Sequence, residues 1–182
     1  MHRLFVALRP PATLRTRLIA LMGGVPGARW QNDEQLHLTL RFIGEVDRHQ
    51  AEDIAATLGA VHAAPAMIAI EGVGAFDHGG VVHSLWAGVA ADATLTHLHQ
   101  AVERALVRAG VAPERRAFRP HITLARLGRS GGATGPWLAG YAGLQLAPVR
   151  VDHFGLFESH LGREGASYSA VARYPLASRL PG

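Results

Sequence analysis

The chain predicts a duplicated α+β fold, two pseudo-symmetric lobes facing each other across a cleft, and three observations carry that prediction. The tetrapeptide His37-Leu38-Thr39-Leu40 recurs as His121-Ile122-Thr123-Leu124, 84 residues later. With this composition chance gives about 0.06 copies of His-x-Thr-Leu per chain, so two copies are roughly a one-in-600 event. Each copy follows a similar run: Leu4-Phe5-Val6-Ala7-Leu8 then Ala12-Thr13-Leu14, and Leu85-Trp86-Ala87-Gly88-Val89 then Ala93-Thr94-Leu95, with helix starts 81 residues apart. Each half therefore reads strand, helix, connection, His strand, the pattern of a repeated α+β unit.

In order, Arg3 to Leu8 is a compact apolar run suited to a buried strand, closed by Pro10-Pro11. Leu14, Leu18 and Leu21 recur at helical spacing and Gly23-Gly24 stops that helix. Ala28-Arg29-Trp30 is a short extended piece, Asn32-Asp33-Glu34 a polar turn, and the first His strand follows, ended by Gly44. Asp47 is the expected N-cap of a helix lined by Ile54, Leu58 and Val61. Met67 to Val73 and Val81 to Val89 form an expected hairpin around Asp77-His78-Gly79-Gly80. Asp92 caps a helix carrying Leu95, Leu98, Val102 and Leu106 on one face, and Gly110 ends it. Pro120 suits the first position of the second His strand. Gly128 to Pro136 reads as a flexible loop, and Val149 to Phe157 with Ser167 to Tyr174 as a last pair of strands.

Length and composition bound what the chain can be. Its 182 residues are expected to form a single domain, 1–182, with 48% hydrophobic and 18% charged residues. Net charge is +4, and all 18 basic residues are Arg. Arg suits bidentate phosphate contacts, although a solvated Arg-rich surface explains the charge equally well. The absence of Cys removes disulfides, thiolate metal sites and a Cys nucleophile. No stretch approaches the roughly 20 apolar residues of a membrane span, and the N-terminus lacks the apolar core of a signal peptide. A cytoplasmic monomer is the expectation.

Alternation in a strand puts His37 with Thr39, and His121 with Thr123, on one face, with Leu or Ile on the other. Two such strands across a cleft bring two imidazoles and two hydroxyls to one bound group. Two His without a third ligand argue against a metal site, and no cofactor is called for. His49, His62, His78 and His83 read as surface or structural, while His97 and His99, two apart on a helix, point to different sides. Phe5 and Trp30 read as core rather than base-stacking residues. A neutral and a protonated imidazole can activate water and protonate a leaving oxygen together. Thr hydroxyls and an Arg can hold a phosphodiester. Arg126 is the nearest Arg, but an unbroken strand puts it on the face opposite His121; it reaches the site only if the strand twists, bulges or ends.

These residues resemble the 2H phosphoesterase superfamily, whose two H-x-T motifs match His37-Leu-Thr and His121-Ile-Thr. Arg3-Leu-Phe-Val-Ala-Leu, His37-Leu-Thr-Leu-Arg-Phe-Ile-Gly-Glu-Val, Leu85-Trp-Ala-Gly-Val, Phe118-Arg-Pro-His-Ile-Thr-Leu-Ala-Arg and Leu161-Gly…Tyr168 resemble its bacterial RNA 2′,3′-cyclic phosphodiesterase (2′-5′ RNA ligase) branch. The resemblance implies antiparallel sheets lining the cleft, helices outside, and metal-free opening of an RNA terminal 2′,3′-cyclic phosphate to a 2′-phosphate. It implies His37 as proton donor, His121 as proton acceptor, and Thr39, Thr123 and Arg126 as phosphate contacts. Joining RNA ends in the same site and a non-catalytic RNA- or nucleotide-binding module are the rival readings.

Overall fold

The computed structural model describes residues 1–163 and 165–177. Its strands are β1 (His2–Leu8), β2 (Ala28–Trp30), β3 (Leu38–Val46), β4 (Ala66–His78), β5 (Val81–Val89), β6 (His121–Leu127), β7 (Gln145–Val151), β8 (His153–Gly162) and β9 (Gly165–Pro175). Its helices are α1 (Ala12–Ile19), α2 (Arg48–Gly59), α3 (Ala93–Arg108) and α4 (Gly135–Tyr141), with a 3-10 turn at Asp33–Gln35. All strand pairs are antiparallel. The strand order is β7-β4-β5-β6-β3-β1-β8-β9, with β2 on β6.

That order is two four-stranded halves meeting at the two His strands. β3 and β6 pair through one ladder position, Leu38 with Ile122, so the hydrogen-bonded sheet is nearly severed along its middle. The helices lie where the sequence puts them: α1 begins at Ala12 and α3 at Ala93. Asp47 and Asp92 are the N-caps expected, accepting from the backbone of Gln50 and of Thr94 and Leu95; each such cap stabilises a helix by about 1 kcal/mol. The apolar faces of α2 and α3 bury Ile54, Leu58, Leu95, Leu98 and Val102, each contributing about 1.5–3 kcal/mol by leaving water. No described helix is long and apolar enough to cross a membrane.

Several sequence expectations need correction. Gly44 does not end β3, which continues to Val46; Gly44 sits inside the strand at φ +94, beside a register shift against β1. Glycine alone tolerates that conformation cheaply, so a residue that looks like a stop serves as a bulge. The run from Val149 to Phe157 is not one strand. It breaks at Asp152, where the chain leaves β4 and joins β1. Part of the expected loop from Gly128 to Pro136 opens α4 instead, hidden in the sequence because a Gly and a Pro begin it. Trp137 buries itself there and donates from Nε1 to the Leu21 carbonyl. The repeat is also two residues out of step with the ladders. Likeness equates Phe5 with Trp86, whereas pairing to the two His strands equates Ala7 with Trp86. A slip of two preserves which face each side chain takes.

Candidate active site

The antiparallel contact of Leu38 with Ile122 makes the two motifs run past each other in opposite directions. Leu38, Leu40, Ile122 and Leu124 are buried, at 0–2% exposure, while His37, Thr39, His121 and Thr123 are half-buried. The apolar faces anchor both strands in the core, and the polar faces look into the cleft.

Each imidazole is fixed in the same way. His37 Nδ1 lies 2.6 Å from the Gln35 carbonyl and His121 Nδ1 2.7 Å from the Arg119 carbonyl, in each case two residues back. A carbonyl cannot donate, so Nδ1 carries the proton in both rings and Nε2 is the free nitrogen. Gln35 is itself pinned. Its amide donates to the Asn32 side chain at 3.0 Å, and its side-chain oxygen accepts from the Asn32 amide at 2.9 Å. Its side-chain nitrogen donates to the Ala166 carbonyl at 2.7 Å. The polar turn read from the sequence is thus a reciprocal capping box whose last carbonyl aims His37.

Aromatic walls desolvate both rings. Phe5 and Tyr168 stand 4.9 and 5.1 Å from His37; Phe76 and Trp86 stand 4.9 and 5.9 Å from His121. Trp86 lies flat over Gly74, where a Cβ would come within 2.2 Å of its ring. Burial pulls His37 down to about 4, with the Arg126 guanidinium and His121 opposing its protonation further and the Gln35 carbonyl opposing the fall. Burial, and then Arg126, also lower His121, against the Arg119 carbonyl. The free site therefore holds two neutral imidazoles at neutral pH.

Arg126 reaches this site because β6 bulges. Leu85 pairs with Ala125 and Trp86 with Thr123, leaving Leu124 as an extra residue. Leu124 and Ala125 then both face the core and Arg126 is exposed on the side of His121. The same irregularity occurs at Leu40, between the Val6–Arg41 and Ala7–Thr39 pairs. It turns Arg41 toward Glu103 on α3, 2.8 Å away, and Phe42 into the cleft. Arg126 and Phe42 are thus twin positions with different chemistry. The parity that argues against Arg126 holds only for an unbroken strand.

One arm of the cleft, of about 630 Å³, is lined by His37, Thr39, Arg126, Tyr168 and the arginines Arg3 and Arg29. The other, about 660 Å³, is lined by His121, Thr39, Phe76, Asp77, Glu114 and Arg119. Both arms share Thr39, Phe42 and His83. Thr123 shares the strand face of His121 but lines neither arm. His83, which reads as a surface residue in the sequence, borders the cleft, as do Phe42 and Tyr168, which fall within runs that carry the family resemblance although residue pattern alone assigns them no role. No three His, Asp or Glu residues cluster as metal ligands among the described residues. Two neutral imidazoles with free Nε2 atoms, a hydroxyl and an unneutralised guanidinium make a site that can bind an anion and move two protons.

Comparison with known proteins gives the same architecture. Residues 8–163 match the 2′-5′ RNA ligase superfamily. The chain is 34% identical to the RNA 2′,3′-cyclic phosphodiesterase of Aeropyrum pernix over 85% of its length and 89% of that protein. It is 31% identical to that of Archaeoglobus fulgidus, over 91% and 96%. The crystal structure of TT0787 from Thermus thermophilus superposes with a TM-score of 0.81 over 98% of this chain and all of that one, at 24% identity, a likeness of fold.

Proposed function

Because the chain belongs to the 2′-5′ RNA ligase superfamily, we propose that it hydrolyses the 2′,3′-cyclic phosphate at an RNA end to a 2′-phosphomonoester, with His37 and His121 moving the protons. One observation carries this reading: two antiparallel His strands crossing at Leu38 and Ile122, each imidazole held through Nδ1 with Nε2 left for the substrate.

In the proposed reaction water attacks phosphorus in line with the 3′ oxygen. His121 Nε2 takes the proton of the attacking water as the new P–O bond forms. The P–O3′ bond breaks, and protonated His37 gives its proton to O3′. The product keeps the phosphate on O2′ and a free 3′ hydroxyl. Arg126 and the Thr39 hydroxyl hold the non-bridging oxygens as charge builds on them. The ring's strain and its tethered leaving group leave the protein mainly positioning and two proton transfers to supply.

The electrostatics set what each imidazole brings to these roles. Burial lowers both imidazoles, His37 to about 4, so a charged His37 is a strong acid toward the leaving O3′. A phosphodiester anion entering the cleft offsets the Arg126 charge and raises both imidazoles, and the reaction runs through the singly protonated form in which the proton sits on His37 and His121 is neutral. The test is incubation with an oligoribonucleotide ending in a 2′,3′-cyclic phosphate, in EDTA, with the product phosphate located. A 2′-phosphate supports the reading. A 3′-phosphate, no turnover, or turnover abolished by EDTA and restored by a divalent metal overturns it.

A further inference from the structure

Arg29 and Arg126 are direct partners in the β2–β6 ladder. Opposed side chains in an antiparallel pair share a face, and like charges there are destabilising. Both line the narrow recess beside Tyr168 as well as the larger His37 arm of the cleft, where Arg3 joins them. Among the described residues none of these three guanidinium groups is within salt-bridge distance of a carboxylate, and no acid lines the His37 arm, although Arg3 has Glu45 as its cross-strand partner and stands 5.2 Å over the Phe42 ring. The His121 arm is different. There Arg41 closes on Glu103 and Glu114, Arg116 closes on Glu114, and Asp77 and Arg119 add one charge of each sign. Surplus positive charge is therefore concentrated in one arm, next to the proposed cyclic-phosphate position.

We propose that Arg29 and Arg3 form a phosphate track for the RNA strand itself, Arg29 taking the phosphodiester immediately 5′ of the terminal nucleoside and Arg3 the backbone beyond it. This rests on the hydrolytic reading and deepens it: the substrate is an RNA end rather than a free nucleoside cyclic phosphate. The uncompensated Arg29–Arg126 pair is what two successive phosphates resolve, one guanidinium to each, and Arg is the residue whose fork fits them. The strand enters along the Arg3 and Arg29 side, and the charge-compensated His121 arm stays open to water.

The experiment measures binding, so it does not depend on turnover. Titrate wild type, Arg29→Ala, Arg29→Gln and Arg3→Ala with three probes: a nucleoside 2′-monophosphate, the nucleoside 2′,5′-bisphosphate, and a short oligoribonucleotide with a 2′-phosphate end. Arg29 variants are expected to weaken the bisphosphate and the oligonucleotide about tenfold while moving the monophosphate less than about twofold. Arg3→Ala weakens the oligonucleotide alone. Each variant flattens the dependence of log Kd on log salt by about 0.7 for the oligonucleotide, one phosphate contact on a single strand. Melting temperature is expected to hold or rise in the Arg29 variants, since a like-charge pair is relieved. Equal weakening of all three probes, or no weakening of the oligonucleotide, overturns the track, as does a wild type that binds oligonucleotide no better than monophosphate. A wild type that binds all three but leaves a cyclic phosphate intact sinks the hydrolytic reading alone.

Discussion

Leu38 and Ile122 form the only backbone pair between the two halves of the described sheet, and both side chains are fully buried. Every residue proposed for the reaction lies within four positions of this pair. It acts as the pivot of the pseudo-twofold: extending its register sets His37 against Thr123 and Thr39 against His121. The two imidazoles thus sit above one buried apolar pair.

Leu38→Ala and Ile122→Ala are expected to cost about 2–5 kcal/mol each, as large-to-small changes in a packed core do. Chemical denaturation measures that. Ile122→Val, which removes one methylene, should cost about 0.5–1.5 kcal/mol and keep activity. A Leu38→Ala protein as stable as wild type would show that the pair is not a structural pivot.

Arg126 stands on the bulge at Leu124. Arg126→Ala should lower kcat/KM by about 10²–10³, the loss typical of one donor to developing charge. Because its guanidinium depresses both imidazoles, the same substitution should move both limbs of the pH profile upward. Wild-type kinetics in Arg126→Ala would remove it from the site.

Asn32 acts on His37 through Gln35. Asn32→Ala should destabilise the protein by about 1 kcal/mol and lower kcat more than it raises KM, since the cap orients the imidazole rather than holding substrate. Asn32→Asp keeps the acceptor for the Gln35 amide and should restore most of the rate. A loss in Asn32→Ala that Asn32→Asp does not rescue would point to a general structural effect.

What the sequence discloses here follows from the reach of each signal. The His37 and His121 strands are legible because His-x-Thr-Leu states its own two-residue period, and the Asp47 and Asp92 caps because capping is a contact within one turn. Strand parity misplaces Arg126 because a bulge is written in the pairing of two strands, not in either one. The crossing at Asp152 is hidden for a related reason: β7 and β8 are each apolar and strand-like, and only their partners β4 and β1 separate them. His83, Phe42 and Tyr168 reach the cleft from strands whose local pattern says nothing about the far wall. Arg29 is no more than an exposed residue on a short strand until β2 is laid against Arg126.

Burial of neutral His37 predicts a specific loss of stability in acid. Its folded value of about 4 lies below the unfolded 6.5, so the unfolded chain binds the proton more readily between those limits. The stability tied to this group is present above pH 6.5 and is lost as pH falls through about 4, by on the order of 3 kcal/mol. His37→Asn should accordingly lose less stability than wild type between about pH 7 and pH 4, read from melting temperatures at constant ionic strength. Parallel curves for the two proteins would mean that His37 is not buried neutral.

In the proposed reaction the pair of histidines moves both protons, and its pH behaviour tests that proposal. kcat/KM reports the free enzyme, in which one imidazole must be charged and the other neutral. Both are lowered from 6.5, His37 to about 4, so the profile should be a bell with both limbs below 6.5, its two apparent values belonging to the pair. Substrate binding should take up a proton near neutral pH, seen as a buffer-dependent heat in calorimetry with a 2′-phosphate product. His37→Ala and His121→Ala should each lower the rate by about 10²–10⁴. The double variant should fall little further, because two groups serving one concerted step are not additive. Loss of His121, the base, should erase the acid limb, and loss of His37, the donor, the alkaline one. A folded single variant with wild-type turnover, or a bell centred well above about pH 7, would end the two-histidine account and leave the cleft as a binding site for RNA ends.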